Sequence, residues 1–230
     1  MIGFLKNLLL HPEAKNLCLD DPQTTILRKN IIRKNGFLEK LYIEWYESIL
    51  DSLPDTQGPV VELGSGAGFM EEKIPGLIMS DMLPVPGLSL TLDAHRLPFA
   101  DHKLGALVMI DVLHHLPKPR LFFGEASRCL QKGGVLTMIE PWYSMWSAAV
   151  YRHLHHEPFN TETANWEFPE SGPLSGANGA MPWLIFKRDR TGFEAEFPQL
   201  IIKSIQLLAP FRYLVSGGSI VQTTGPGMEF

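Results

Sequence analysis

Four acidic residues of this 230-residue chain each stand where an apolar run stops: Glu62, Asp81, Asp93 and Asp111. Carboxylates in that position can bond ribose hydroxyls or attract a cation. Between the first two lies Gly64-Ser65-Gly66-Ala67-Gly68, a loop whose glycines let a ligand approach the backbone closely. Glu62 and Asp81 are 19 residues apart, about the interval at which a nucleotide-binding βαβ unit sets an acid against a ribose. His114 and His115 follow Asp111 and suggest either metal ligands or a general base. Adjacent side chains of a regular element face different ways, and no third ligand lies at a familiar zinc spacing. A positioning or capping role is therefore expected for the pair, and no metal site.

The glycine pattern separates the ligands. A dinucleotide fingerprint starting at Gly64 needs a small residue at position 69, where Phe69 stands. A P-loop needs Gly-Lys-Ser/Thr at its end, and the next lysine is Lys73. Glu62 would repel a pyrophosphate and attract positive charge. A cationic nucleoside fits better than NAD.

Positioning these groups requires strands that end at the acids. Val60-Val61 opens the first strand; Gly76–Met79 gives the second, after a glycine turn and a short helix. Met82–Gly87 is too short for a crossover helix, so the connection to a third strand, Leu88–Leu92, is abbreviated. Leu104–Ile110 is a fourth strand, apolar enough to be buried on both faces. A helix with Pro119 in its first turn then runs to Gly133-Gly134 as its stop, and Val135–Ile139 is the fifth strand. Upstream, Thr24–Leu53 has helical spacing with a break at Gly36. Its basic cluster, Arg28, Lys29, Arg33 and Lys34, reads as a solvated face. Downstream, Trp142–His156 reads as helix, 157–180 as an ordered lid, Thr191–Phe197 as a helical turn and Leu200–Leu208 as a sixth strand. Phe211–Ser216 and Ser219–Thr223 leave the C-terminal sheet edge incomplete. Strands alternating with helices give an α/β fold, a three-layer α/β/α sandwich on a mainly parallel, Rossmann-like sheet.

Composition narrows the partners. A formal net charge of −5 offers no basic footprint for nucleic acid. No run approaches the roughly 18 apolar residues of a membrane span, and Met1–Leu10 lacks the apolar core and cleavage site of a signal peptide. Cys18 and Cys129 form no metal or redox motif, which points to a reducing, cytoplasmic setting.

Glu62-Leu-Gly-Ser-Gly-Ala-Gly68 resembles the first motif, (D/E)xGxGxG, of the class I S-adenosylmethionine-dependent methyltransferases. Asp81, the Asp93-Ala94…Leu97-Pro98-Phe99 box, Val112-Leu-His-His-Leu116 and Gly133-Gly134 match further motifs of its type 11 small-molecule branch, in order, across roughly 58–140. The resemblance implies S-adenosyl-L-methionine as cofactor. It places Gly64, Ser65, Gly66 and Gly68 beneath the methionine part and Asp81 on the ribose. It sets Asp93 and Ala94 at the adenine edge, Ile110 and Asp111 at the amino-acid end, and Glu62 behind the loop. It further implies one domain in three parts: a helical cap over the cofactor (1–57), the cofactor-binding core (58–140), and a variable acceptor and lid region (141–230). The expected reaction is O-methylation of a small metabolite or sugar- or lipid-linked precursor. Trp142, Tyr143, Trp146, Trp166 and Trp183 would wall the acceptor pocket, with Tyr143 or a histidine of 153–156 as base. The rival readings are an NAD-dependent oxidoreductase and a non-catalytic, methyltransferase-like interaction module.

Overall fold

The computed structural model describes residues 20–55, 58–153, 157–169, 172 and 176–208. Two helices come first, α1 (Pro22–Lys34) and α2 (Gly36–Ser52). Asp21 caps α1 by accepting from the Gln23 amide (2.8 Å), with Pro22 in the first turn. Asn35 separates the two helices: its carboxamide oxygen accepts from Phe37 and Leu38 amides and so starts α2.

Five strands follow: β1 (Val60–Leu63), β2 (Ile78–Asp81), β3 (Leu90–Thr91), β4 (Leu104–Ile110) and β5 (Leu130–Ile139). They form one sheet in the order β3-β2-β1-β4-β5, every pair parallel. Helix α3 (Pro119–Cys129) links β4 to β5; α4 (Met145–His153), α5 (Met181–Trp183), a π-helical turn (Leu184–Arg188) and α6 (Arg190–Glu196) come after it.

The sheet is covered on both faces, and β4 shows how. Its Ala106 and Val108 pack with Leu38, Leu41, Trp45, Tyr46 and Ile49 of α2. Its Leu107 and Met109, one residue out of phase, pack with Phe122, Phe123 and Ala126 of α3 and with Leu184, Ile185 and Phe193. Alternate residues of a strand point to opposite faces, so a continuous apolar run serves two cores. The architecture is the expected three-layer α/β/α sandwich.

The elements depart from the sequence reading in three places. No helix follows the glycine loop; a single 3-10 turn, Met70–Glu72, stands there. Pro75 and Gly76 (φ +77°) close the segment before a helix can extend, and α2 covers that face instead. Gly133-Gly134 do not stop α3, which ends at Cys129; they lie in an irregularity of β5, where the pairing shifts between Leu104 and Ala106. A Cβ at Gly134 would lie 3.0 Å from the Gly105 carbonyl oxygen, so glycine is what permits this close approach of strands. Leu200–Leu208 is not a strand, and Ile201 and Leu207 are exposed. The segments 211–216 and 219–223 lie outside the described residues. Among the described residues, no helix is long and apolar enough to cross a membrane.

Candidate functional site

Where the order of the sheet reverses, between β1 and β4, the carboxyl ends of neighbouring strands diverge and leave a crevice. A cavity of about 370 Å³ occupies it. Leu63 and Gly64 follow from β1, Asp81 and Met82 from β2, Leu92, Asp93 and Ala94 from the end of β3, and Asp111 and Val112 from β4. Its volume is that of a small-ligand pocket, apolar over much of its wall and acidic at the strand ends.

The anticipated binding residues divide among three places. Gly64, Asp81, Asp93, Ala94 and Asp111 line this cavity. Ser65, Gly66 and Gly68 line a second one of about 240 Å³, under Ile26, Lys29 and Asn30 of α1. Glu62 is buried beneath the loop, and its Oε2 finds no partner. Ile110 packs into the α2-side core and lines neither cavity.

The glycine loop is held from several sides. Gly64 has φ +69°, and a Cβ there would lie 2.4 Å from Cγ2 of Val112. The Gly66 amide donates to Asp81 Oδ2 (3.1 Å), and the Leu83 amide donates to Asp81 Oδ1 (2.9 Å). A Cβ on Gly66 would come within 2.5 Å of Thr25 Cγ2 and 2.8 Å of Asp81 Oδ2. The Phe69 amide donates to the hydroxyl of buried Tyr46 (2.9 Å). The cluster expected as a solvated face in fact docks α1 onto the loop: Lys29 pairs with Glu71, and Arg33 pairs with Glu72 and lies over the Phe69 ring. Burial pushes the Glu62 carboxyl up to about 7 and raises that of Asp81, against the amides that bond it.

On the far wall, Asp111 sits at φ +55°, a conformation uncommon for a residue with a side chain and found at functional turns. Its amide donates to the Ile139 carbonyl (2.9 Å). Glu140, at the end of β5, fixes the following turn. Its Oε1 accepts from the Val112 and Leu113 amides (2.8 and 2.7 Å), and its Oε2 lies 2.7 Å from His114 Nδ1. Burial, with Glu140 and Glu157 nearby, raises the Asp111 carboxyl to about 7.

The histidine pair corrects the sequence expectation. Leu113–His115 is a 3-10 turn rather than a regular helix, and the two rings lie 4.2 Å apart, tilted. Both Nε2 atoms approach one carboxylate, Glu157: 3.5 Å from His114 and 3.7 Å from His115. His115 Nδ1 is 2.9 Å from the Gly176 carbonyl oxygen. Although burial opposes charge on His114, its bonds to Glu140 and Glu157 hold its pKa well above the ordinary value. Burial and the neighbouring His114 push His115 down to about 4. Glu140 could have been noticed in the sequence, since it closes a strand like the four acids singled out; Glu157, in an irregular loop, carries no such signal.

The aromatic wall is smaller than expected. Tyr143 packs on Trp183 (4.9 Å between centroids) and Phe159 (6.2 Å). Trp166 instead belongs to the core, its Nε1–H bonded to Asp189 and its ring under Arg120, while Trp146 is exposed. Phe168, Gly172 and Gly176, from the anticipated lid, line the large cavity. His155 and His156 lie outside the described residues.

Residues 80–138, from the end of β2 to the end of β5, match the family described as a methyltransferase domain. That segment, about a quarter of the chain, is similar to this family. Parts of the chain are also similar to solved structures. One described as a methyltransferase, from Bacillus halodurans, is 20% identical over 66% of this chain and 64% of that one, with a TM-score of 0.44. A SAM-dependent methyltransferase from Thermotoga maritima is 18% identical over 54% of this chain and 68% of that one (TM-score 0.42). A chain in the complex of the Haloferax volcanii Trm112 methyltransferase activator with a protein named as a methyltransferase is 16% identical over 59% and 66% (TM-score 0.43). This chain spans slightly under two thirds of the B. halodurans and H. volcanii chains. No curated protein sequence matches it. The matched segment includes four residues that line the cavity, Asp81, Asp93, Ala94 and Asp111.

Proposed function

We propose that this protein binds S-adenosyl-L-methionine in the crevice between β1 and β4 and transfers its methyl group to a small-molecule acceptor, on oxygen. The observation that carries the reading is the convergence of Gly64, Asp81, Asp93, Ala94 and Asp111 on one cavity of about 370 Å³ at the sheet's switch point. These residues fit a cationic nucleoside. Asp81 keeps an accepting lone pair on each oxygen beyond the amides it already bonds, enough for two ribose hydroxyls. Asp93 Oδ1 is taken by the His95 amide and ring, so its second oxygen and the Ala94 backbone would meet the adenine edge. Asp111 would hold the amino-acid end, with Glu62 behind the loop setting a negative field.

The cofactor supplies an already reactive sulfonium methyl. The protein's work is to bring the acceptor in line and exclude water. Phe168, Leu116 and Pro117 provide the apolar side of the cavity next to Asp111, supporting a compact acceptor rather than a polymer. In this proposal 1–57 caps the cofactor, 58–140 binds it and 141–230 encloses the acceptor. The setting is cytoplasmic, supported by the free thiol of Cys129, and nucleic acid is not a partner, given the net charge of −5.

Calorimetry with S-adenosylmethionine, S-adenosylhomocysteine and NAD tests the reading. Micromolar-class binding of the first two, weakened by Asp81→Ala by about 1–3 kcal/mol, is the expected result; preferential binding of NAD would overturn it. One observation favours a second reading, a cofactor-binding module without turnover: Thr25 packs directly over Gly66, where an open cofactor loop would be bare. Binding without methyl transfer to any oxygen acceptor would select it.

A further inference from the structure

We propose that His114, His115 and Glu157 form a binding site for a dication of the zinc class in the wall of the large cavity. Each residue can direct one ligand atom to a common point: the three atoms lie within 4.8 Å of one another. His114 Nε2 is 3.5 Å and His115 Nε2 3.7 Å from the two Glu157 oxygens. Zinc binds imidazole nitrogen and carboxylate oxygen at about 2.0–2.2 Å in a tetrahedron, whose edges are then about 3.3–3.6 Å. The two histidine-to-carboxylate distances, each to a different Glu157 oxygen, lie at and just beyond that spacing, with His115 slightly too far from Glu157 for a hydrogen bond.

The outer partners are those of metal-binding histidines. Such a residue offers one ring nitrogen to the metal and donates the other N–H to a carboxylate or a carbonyl. His114 Nδ1 meets the Glu140 carboxylate at 2.7 Å and His115 Nδ1 meets the Gly176 carbonyl at 2.9 Å. A carbonyl oxygen cannot donate, so His115 carries its proton on Nδ1 and presents a lone pair at Nε2. A histidine buried only for packing has no need of this arrangement, and two side by side converging on one acid have less. Asp111 and Glu140 add negative charge around the three ligands, which favours a dication over a monovalent ion. Two nitrogens and one oxygen suit zinc, cobalt or nickel; magnesium and calcium prefer oxygen alone.

Three protein ligands leave a fourth position open, as in catalytic rather than structural zinc sites. His115 itself lines the cavity, so that position faces the acceptor space. There the cation would take an acceptor oxygen and favour its deprotonated form; this role rests on the methyl-transfer reading, whereas the site itself does not.

The full-length chain, stripped with a chelator, is titrated with zinc chloride by calorimetry and with cobalt chloride by visible absorption. One zinc per chain and a four-coordinate cobalt spectrum are expected. Glu157→Gln, nearly isosteric, and His115→Ala should each lower zinc affinity by about tenfold or more, and Glu157→Gln, at a residue that does not line the cavity, should retain S-adenosylhomocysteine binding. Zinc binding that is absent, or equal in the wild type and both variants, would overturn the site; Glu157→Gln keeps the test valid should His115→Ala fail to fold. Loss of S-adenosylhomocysteine binding by the wild type would instead count against the methyl-transfer reading alone.

Discussion

Replacing Tyr46 with phenylalanine isolates the bond that fastens the glycine loop to α2. Tyr46 is fully buried and its hydroxyl takes the Phe69 amide at 2.9 Å. The ring stays in place in the variant, since its edge contact with Phe69 (4.9 Å between centroids) does not involve the oxygen. What changes is one buried N–H left without an acceptor, which costs about 1–3 kcal/mol. The hydroxyl's own desolvation disappears at the same time, so the lower half of that range, about 1–2 kcal/mol, is the expected net loss. For a domain of this size each kcal/mol lowers Tm by about 2–4 °C, giving a fall of roughly 2–8 °C. Urea denaturation should show a lower midpoint with an unchanged slope. Because Gly68 precedes Phe69, binding of S-adenosylhomocysteine should weaken as well. An unchanged midpoint would mean that the Phe69 amide has another acceptor and that α2 does not hold the loop through Tyr46.

Gly66→Val should abolish S-adenosylhomocysteine binding, because its Cβ alone meets Thr25 and Asp81 below 3 Å; calorimetry showing normal affinity would reduce the loop to a simple turn. Glu62→Gln should change the pH dependence of stability. The folded Glu62 titrates at about 7 against an ordinary 4.5, so between those values the native state holds more protons and stability falls as pH rises. The Glu62 contribution reaches about 3 kcal/mol above pH 7. Urea melts should find variant and wild type alike near pH 5 and the variant more stable at pH 8, with Asp111 leaving a residual slope in both. Parallel pH profiles would show that Glu62 stays ionised without cost.

How much of this could be read from the chain depended on whether a signal was local. An apolar run closed by an acid is local: β2 ends at Asp81 and β4 has both boundaries as expected, while β1 runs one residue past Glu62 to Leu63. The cavity follows from those ends. The glycine loop was legible too, but its missing helix turned on Pro75 and on α2 taking over that face, a contact from upstream. Leu200–Leu208 has the composition of a strand, yet a strand needs a neighbour to pair with, and composition does not show one. Trp166 belongs to the core rather than the pocket, a distinction that aromatic identity alone does not make. The histidine pair needed the most: a 3-10 turn to bring the rings together and a carboxylate from an irregular loop far down the chain.

The packing of α2 on the sheet affects the order in which the molecule can assemble. Leu38, Leu41, Trp45 and Ile49 are buried against Ala106, Val108 and Val135, none of which exists when α2 leaves the ribosome. At about 5–20 residues per second, roughly 4–17 s separate synthesis of the α2 stripe from synthesis of the β5 residue it meets. Throughout that interval this apolar stripe stays uncovered, and contacts this distant in sequence close slowly. The α2 stripe should therefore stay open to chaperones at least until β5 has been made.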